Sequence, residues 1–295
     1  MKNIGAERGC GRALWENNND QDKYGTPMAL MLLPYWTNGC IGSMEGLYFE
    51  ASGTTPYHFL TTAAMSKNSS NPVRRLQYEN GKVDKGVTYL QSLGVRYYLA
   101  YNDSVVSQAD TNPDLTKIAE SGPWKVYEVK DAPIVSSLTT QPVVLSDASI
   151  GVDRDRWLEV GASYFQNQSS WGAMPAATGP KDWARITLKT TGKTDDRNLA
   201  KVEPSAPIQP KALDPVTVTN ITTGDDRVSF DVDKIGVPVL VKVSYFPNWN
   251  VSGGTGPYRV APNLMLVVPT STHVSLHYGY TNLDLGAYAP RSRLV

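Results

Sequence analysis

From residue 216 onward the apolar residues recur every second position. Val216 and Val218 form one such set, then Val228, Phe230 and Val232, then Val239, Val241, Val243 and Tyr245, and last Val274, Leu276 and Tyr278. Only an extended strand puts every second side chain on one face, so each set predicts a strand with one buried side. The sets are short and divided by Gly, Asp and Pro, which predicts an antiparallel β-sandwich of immunoglobulin or jelly-roll type. Just before them, KVEPSAPIQPKALDP (201–215) carries four prolines and reads as a linker. The expected organisation is a mixed α/β region over 1–205 and a sandwich over 206–295, an α+β chain.

The first region mixes helix and strand signals. Thr55-Pro56 reads as an N-cap and first-turn proline for YHFLTTAAMSK, and Gly94 is placed to end a helix over GVTYLQSLG. VRYYLAY and WKVYEV have strand character. Asn112-Pro113 predicts a helix over PDLTKIAES, stopped by Gly122. In DRDRWLEVGASYFQNQ, Trp157, Val160, Gly161 and Tyr164 follow the i, i+3, i+4, i+7 spacing of a buried helix face. Helices and strands in this order suggest an α/β layer. VSYFPNWNVSGGTGPYRVAPNLMLVVP (243–269) reads as a sandwich hairpin. Pro247 and Asn248 end one strand, 252–257 is the loop, and Leu264 to Val268 is the return, with Trp249 covering one end.

Charge and hydropathy exclude several classes of protein. Lys and Arg number 28 and so do Asp and Glu, with no basic stripe, so nucleic acid is not an expected partner. No run approaches the roughly 18 apolar residues of a membrane span; the longest, MALMLL, has the length of a core element. Met1 to Asp20 is polar, so no signal peptide is visible. Tyr outnumbers Phe 16 to 5, which favours a turn-rich β protein working outside the cytoplasm. Cys10 and Cys40 would pair in such a compartment and stay as two thiols otherwise.

His273 and His277 both alternate with the apolar face and lie about 13 Å apart on a strand, too far to share a metal ion. No metal-ligand spacing, phosphate-binding loop or nucleophile elbow occurs, and neither metal nor cofactor is expected. The densest polar and aromatic cluster is SMEGLYFEASGTTPYHF, residues 43–59. Its Glu45, Glu50, Tyr57 and His58, with Trp36 nearby in sequence, are the candidates for glycan contact by stacking and hydrogen bonding. Glu45 and Glu50 could also serve as the paired carboxylates of a glycoside hydrolase. The plainer reading is a capped helix and a strand with ordinary surface acids, and core packing for Trp36 and Trp171.

Four segments taken in order resemble a known family. MALMLLPYWTNGCIGSMEGLYFEASGTTPYHFL, GVTYLQSLGVRYYLAY, SGPWKVYEV and VSYFPNWNVSGGTGPYRVAPNLMLVVPTSTHVSLHYGYTNLDLGAY are similar to the large extracytoplasmic region of bacterial YfhO-like polytopic membrane proteins. Some of these are labelled 6-pyruvoyl-tetrahydropterin-synthase-related. The resemblance covers about Gly11 to Tyr288 and implies a sandwich that precedes a last membrane helix. It also implies kinship with glycosyltransferase-C-like membrane enzymes that use lipid-linked sugars on the extracytoplasmic face of the cell membrane. Their catalytic acids are expected beside membrane helices absent from this chain, so no catalytic residue carries over. The pterin-synthase label would require a histidine-built zinc site, which three histidines at these spacings do not supply. The expected role is binding or scaffolding of an envelope glycan or lipid-linked sugar, with the membrane reached through flanking helices. A free-standing secreted carbohydrate-binding or adhesion protein is the alternative, and a glycoside hydrolase a further one.

Overall fold

A computed structural model of the chain describes residues 1–45, 52–150 and 153–279. It is a mixed α+β structure with a sheet-rich C-terminal part. The N-terminal part is a five-stranded sheet. Its strands are β1 (Gly11–Trp15), β2 (Ile41–Ser43), β3 (Val95–Ala100), β4 (Leu115–Ser121) and β5 (Trp124–Val129), in the order β2-β1-β3-β5-β4. Strand β1 lies parallel to β2 and β3, whereas β3-β5 and β5-β4 are antiparallel. Alternation sorts the side chains into two layers. Leu14, Tyr98, Ala100 and Tyr127 face helices α3 (Thr55–Ala64), α4 (Val83–Leu93) and α5 (Asp103–Thr111). Ala13, Trp15, Tyr97, Leu99 and Val126 face the opposite way, under α1 (Lys2–Arg8) and a segment of short helical turns ending in α2 (Leu33–Trp36).

Several elements match their expected places. Strands run over Val95–Ala100 and Trp124–Val129, and α4 ends at Gly94, which takes the left-handed conformation with φ 65°. Helix α3 starts one residue earlier than its cap signal suggests, with Thr54 at the N-cap and Pro56 in the first turn. Helix α6 (Arg154–Gln166) is capped by the Asp153 carboxylate, which accepts from the amides of Asp155 and Arg156.

PDLTKIAES is a correction. It is strand β4, and the helix lies just upstream as α5. The Asn112 side chain accepts from the Asp114 amide and closes a turn, while Asn102 caps α5 through the Ser104 amide. The spacing of Leu115, Ile118 and Ala119 imitates a helix because β4 changes register between Lys117 and Ala119, and such an irregularity breaks the period of two. The carboxylate of Glu16, buried beside the start of α5, accepts from the Tyr101 and Asn102 amides at 2.7 Å each. Burial nevertheless holds its pKa above the usual carboxylate range.

The chain continues through β6 (Val135–Ser137), β7 (Val143–Leu145), β8 (Pro175–Ala176) and β9 (Arg185–Ile186). A small hairpin of β10 (Leu188–Thr191) and β11 (Lys201–Pro204) follows, so the first four residues of the proline-rich stretch form a strand. The last strands are β12 (Val218–Thr223), β13 (Arg227–Val232), β14 (Val239–Val241), β15 (Trp249–Ser252), β16 (Gly254–Val260), β17 (Leu264–Pro269) and β18 (His273–Tyr278). They form two facing sheets: β12-β13-β18-β15, all antiparallel, and a seven-stranded β6-β14-β17-β16-β8-β7-β9. Val228, Phe230, Val232, Val274 and Leu276 of the first pack against Val135, Val239, Val241, Met265 and Val267 of the second. The seven-stranded sheet takes β6 to β9 from before residue 205 and β14, β16 and β17 from after it, so hydrogen-bonded pairing crosses the expected boundary.

The stretch 243–269 is built differently from the expected hairpin. Residues 252–257 are not a loop: β15 pairs in one sheet and β16 in the other. The chain changes sheets at Gly253 (φ 77°), and the tight connection falls at 261–263 instead. Two cations bolt the sandwich to the five-stranded sheet at the C-terminus of α4. Arg12 Nη1 donates to the Leu93 and Lys242 carbonyls at 2.9 and 2.6 Å, and Lys242 Nζ donates to the Gln91 carbonyl at 2.8 Å. The unpaired carbonyls of a helix C-terminus attract positive charge, which makes these partners favourable. Burial, then the Arg12 charge, lowers the Lys242 pKa to about 8.

Cys10 and Cys40 are disulfide-bonded, with Cα atoms 4.6 Å apart, immediately before the parallel neighbours β1 and β2. Among the described residues no helix is long and apolar enough to cross a membrane.

Candidate functional site

The structure separates the sequence candidates. Glu45 is buried and accepts from the Thr62 hydroxyl of α3 at 3.1 Å. Tyr57 is buried in the core, its ring 5.4 Å from that of Phe165, and burial pushes its phenol up. His58 lies alongside, hydrogen-bonded to the Met44 backbone; burial, then the Arg12 charge, lowers its pKa to about 3. Glu45 and Tyr57 are therefore interior residues beside α3, whereas His58 is half-buried. Trp36 lies on the other side of the five-stranded sheet and is 47% exposed. Glu50 falls outside the described residues, so its separation from Glu45 is not defined.

The neutral His58 makes a testable contribution to stability. Its folded pKa of about 3 lies below the ordinary 6.5, so its share of the stability is complete above pH 6.5 and is lost as pH falls toward 3. Between pH 7 and 4.5 that loss should reach about 2–3 kcal/mol. Denaturant titrations at both pH values should show a smaller acid loss in His58→Gln than in the natural chain. An equal loss in both would show that His58 does not titrate in this way.

Trp36 stands at a surface groove of about 420 Å³ on the α1 side of the sheet. Trp124, Ile4, Leu30, Leu33 and Val126 form the apolar walls, and Lys2, Asn3, Glu120 and Ser121 supply polar groups. Trp36 ends α2, where the buried Thr37 hydroxyl donates to the Leu33 carbonyl at 2.7 Å and accepts from the Ile41 amide at 3.0 Å. Trp124 follows the two-residue turn Gly122-Pro123, where β4 pairs Ser121 with Trp124. Both indoles thus sit on backbone fixed by hydrogen bonds.

The aromatic surface continues past the groove. Trp124 meets Tyr101 edge-on at 5.3 Å, and the Lys23 ammonium lies 5.8 Å from the Tyr101 ring and 5.2 Å from that of Tyr24. A hydrogen bond with Tyr101 raises the Lys23 pKa, and a hydrogen bond from Lys125 lowers that of Glu120. Tyr24, Leu32 and Tyr35 are exposed on the same segment that carries Trp36. Flat aromatic faces flanked by charged and amide groups suit a ligand with an apolar ring face and a hydroxylated edge.

Of the aromatics on this surface, sequence reasoning named Trp36 as a candidate and did not name Trp124, Tyr101 or Tyr24. A signal existed: each aromatic sits at the end of an element or beside a turn, as in Gly-Pro-Trp and in Tyr101 directly after β3. Such positions carry side chains to the surface, whereas Tyr57 lies inside a helix. His273 and His277 are exposed as expected, paired with Asp231 at 2.6 Å and Asp226 at 3.5 Å. Among the described residues no group of three or more His, Cys, Asp and Glu could hold a metal ion.

The α+β fold thus carries this aromatic surface on one side of its five-stranded sheet. No family model and no curated protein matches the chain. A solved structure of the arabinofuranosyltransferase AftD from mycobacteria shows a weak structural similarity, with a TM-score of 0.32 and 14% identity. The alignment covers 95% of this chain and 29% of the AftD chain. A mutant AftD gives a TM-score of 0.30 at 13% identity over 95% of this chain and 31% of that chain. This chain therefore spans about a third or less of the length of the proteins it is compared with.

Proposed function

We propose that this chain is an extracytoplasmic domain of a multi-pass membrane protein of the YfhO-like kind, and that it binds or positions an envelope glycan for a lipid-linked-sugar glycosyltransferase. The observation that carries the binding role is the groove between Trp36 and Trp124, extended by Tyr101. Stacking of a sugar ring on an indole needs a flat, pre-positioned face, and both indoles sit on hydrogen-bonded backbone. The Cys10–Cys40 bond supports the setting, because disulfides persist in oxidising compartments. The interior position of Glu45 favours binding over hydrolysis.

Titration calorimetry of the chain against soluble envelope oligosaccharides tests the binding role. Trp36→Ala and Trp124→Ala should each weaken the affinity about tenfold, from about 1–1.5 kcal/mol per lost aromatic contact. Trp36→Ala should leave the melting temperature almost unchanged, because its ring is half exposed. Unchanged affinity in both variants would remove the groove from the glycan site. The setting is tested by the size and membrane partition of the native protein. A detergent-released species well above 32.3 kDa supports a polytopic protein, and a free species of that mass supports the stand-alone secreted alternative.

A further inference from the structure

Arg259, on β16, is a cation that no carboxylate among the described residues balances. Its guanidinium lies 4.5 Å from the Trp157 ring and 5.7 Å from that of Tyr245. Its Nε donates to Asn263 Oδ1 at 2.7 Å. The titratable groups near it among the described residues are two phenols, Tyr57 and Tyr245, which carry no charge while protonated. Among those residues the Nη groups have no hydrogen-bond acceptor, which leaves the paired edge of the guanidinium free. A half-buried charge without a partner is costly, and stacking has already fixed the orientation of this one.

A row of hydroxyls runs away from it. Asn263 Nδ2 donates to Ser244 Oγ at 3.2 Å, Ser244 Oγ meets Ser52 Oγ at 2.8 Å, and Ser52 Oγ meets Thr54 Oγ1 at 2.9 Å. Asn263 is buried, whereas Ser52 and Ser244 are half-buried. A hydroxyl can donate or accept by rotating, so such a row matches the hydroxyls of a polyol. The guanidinium edge matches a carboxylate through two parallel N–H···O bonds. A single cation balances one negative charge, which favours a carboxylate over a doubly charged phosphate ester.

We infer that the Arg259 guanidinium and the row Asn263–Ser244–Ser52 bind the carboxylate and hydroxyls of one acidic sugar, a uronic acid residue. The site is distinct from the Trp36–Trp124 groove and stands whether or not that groove binds glycan.

The test follows the Arg259 Nε–H resonance of the ¹⁵N-labelled chain, assigned by its absence in Arg259→Lys. Glucuronate is expected to shift it with a dissociation constant in the millimolar range or below, and neutral glucose to leave it in place. By calorimetry, Arg259→Gln should weaken glucuronate binding about tenfold or more, whereas Trp36→Ala should not change it. If Arg259→Gln does not fold, Arg259→Lys, which keeps the charge and loses the paired edge, should weaken binding severalfold. A resonance unmoved by glucuronate, or moved equally by glucose, overturns the inference. So does undiminished glucuronate affinity in a folded Arg259→Gln. Glucose 1-phosphate binding as tightly as glucuronate overturns the assignment to a single carboxylate.

Discussion

Replacing Cys10 and Cys40 together by Ser is expected to lower the unfolding free energy by about 3–4 kcal/mol. The bond closes a segment of 30 residues in sequence separation, and a cross-link of that span removes this much chain entropy from the unfolded state. The native side adds to the effect. Strand β2 is three residues long at the edge of the five-stranded sheet, paired with β1 only, and the bond sits at the shared start of both strands. The segment between the cysteines carries α2 and Trp36, so the double variant should also lose part of its groove affinity. Guanidinium titration of the oxidised chain, the reduced chain and the double Ser variant checks the figure. Reduced and double-variant chains should agree with each other, and a midpoint unchanged from the oxidised chain would show that the bond contributes nothing.

Gly253→Ala should be as damaging, at about 3 kcal/mol or more, for two separable reasons. At φ 77° a side chain adds about 1–2 kcal/mol of conformational strain. In addition, a Cβ there would sit 2.1 Å from the His273 carbonyl oxygen, which is backbone and part of a paired strand. The Gly253 carbonyl meanwhile accepts from the Thr270 and Ser271 amides at 2.8 and 3.0 Å, so the segment is held from both sides. Gly192→Ala is the control: its φ is 80°, but nothing lies within 4 Å of the added Cβ. It should show the strain alone. The difference between the two variants measures the clash at the point where the chain leaves one sheet for the other. Equal losses would would mean that the backbone at Gly253 relaxes freely.

These two positions show how unevenly the sequence speaks. The alternation of Val228, Phe230 and Val232 is legible because a strand with one buried face must repeat every second residue. Helix α6 is legible because Trp157, Val160 and Tyr164 share a stripe and Asp153 caps it. Strand β4 is misread because Asn112-Pro113 looks like a helix start, whereas the Asn112 side chain closes a turn to the Asp114 amide. The stretch 243–269 is half legible: its residues announce strands and turns, but nothing local says that β15 and β16 belong to different sheets. Glu45, Tyr57 and His58 are adjacent to turn signals and polar in type, and neither property reports that α3 folds them inward.

The sequence by itself determined the α+β class, most strand and helix positions and the surface placement of His273 and His277. Periodicity and capping are local, and they act over a few residues that the chain order already brings together. The tertiary structure alone decided which strands cross from the first 205 residues into the seven-stranded sheet. It also decided which aromatics join Trp36, and that Arg259 lies against Trp157 and Tyr245 with no carboxylate opposite among the described residues. Those facts depend on residues far apart in sequence, such as Arg259 stacked on Trp157 at 102 positions and Trp36 lining one groove with Trp124 at 88. Only packing of the whole chain brings such residues within reach of one another.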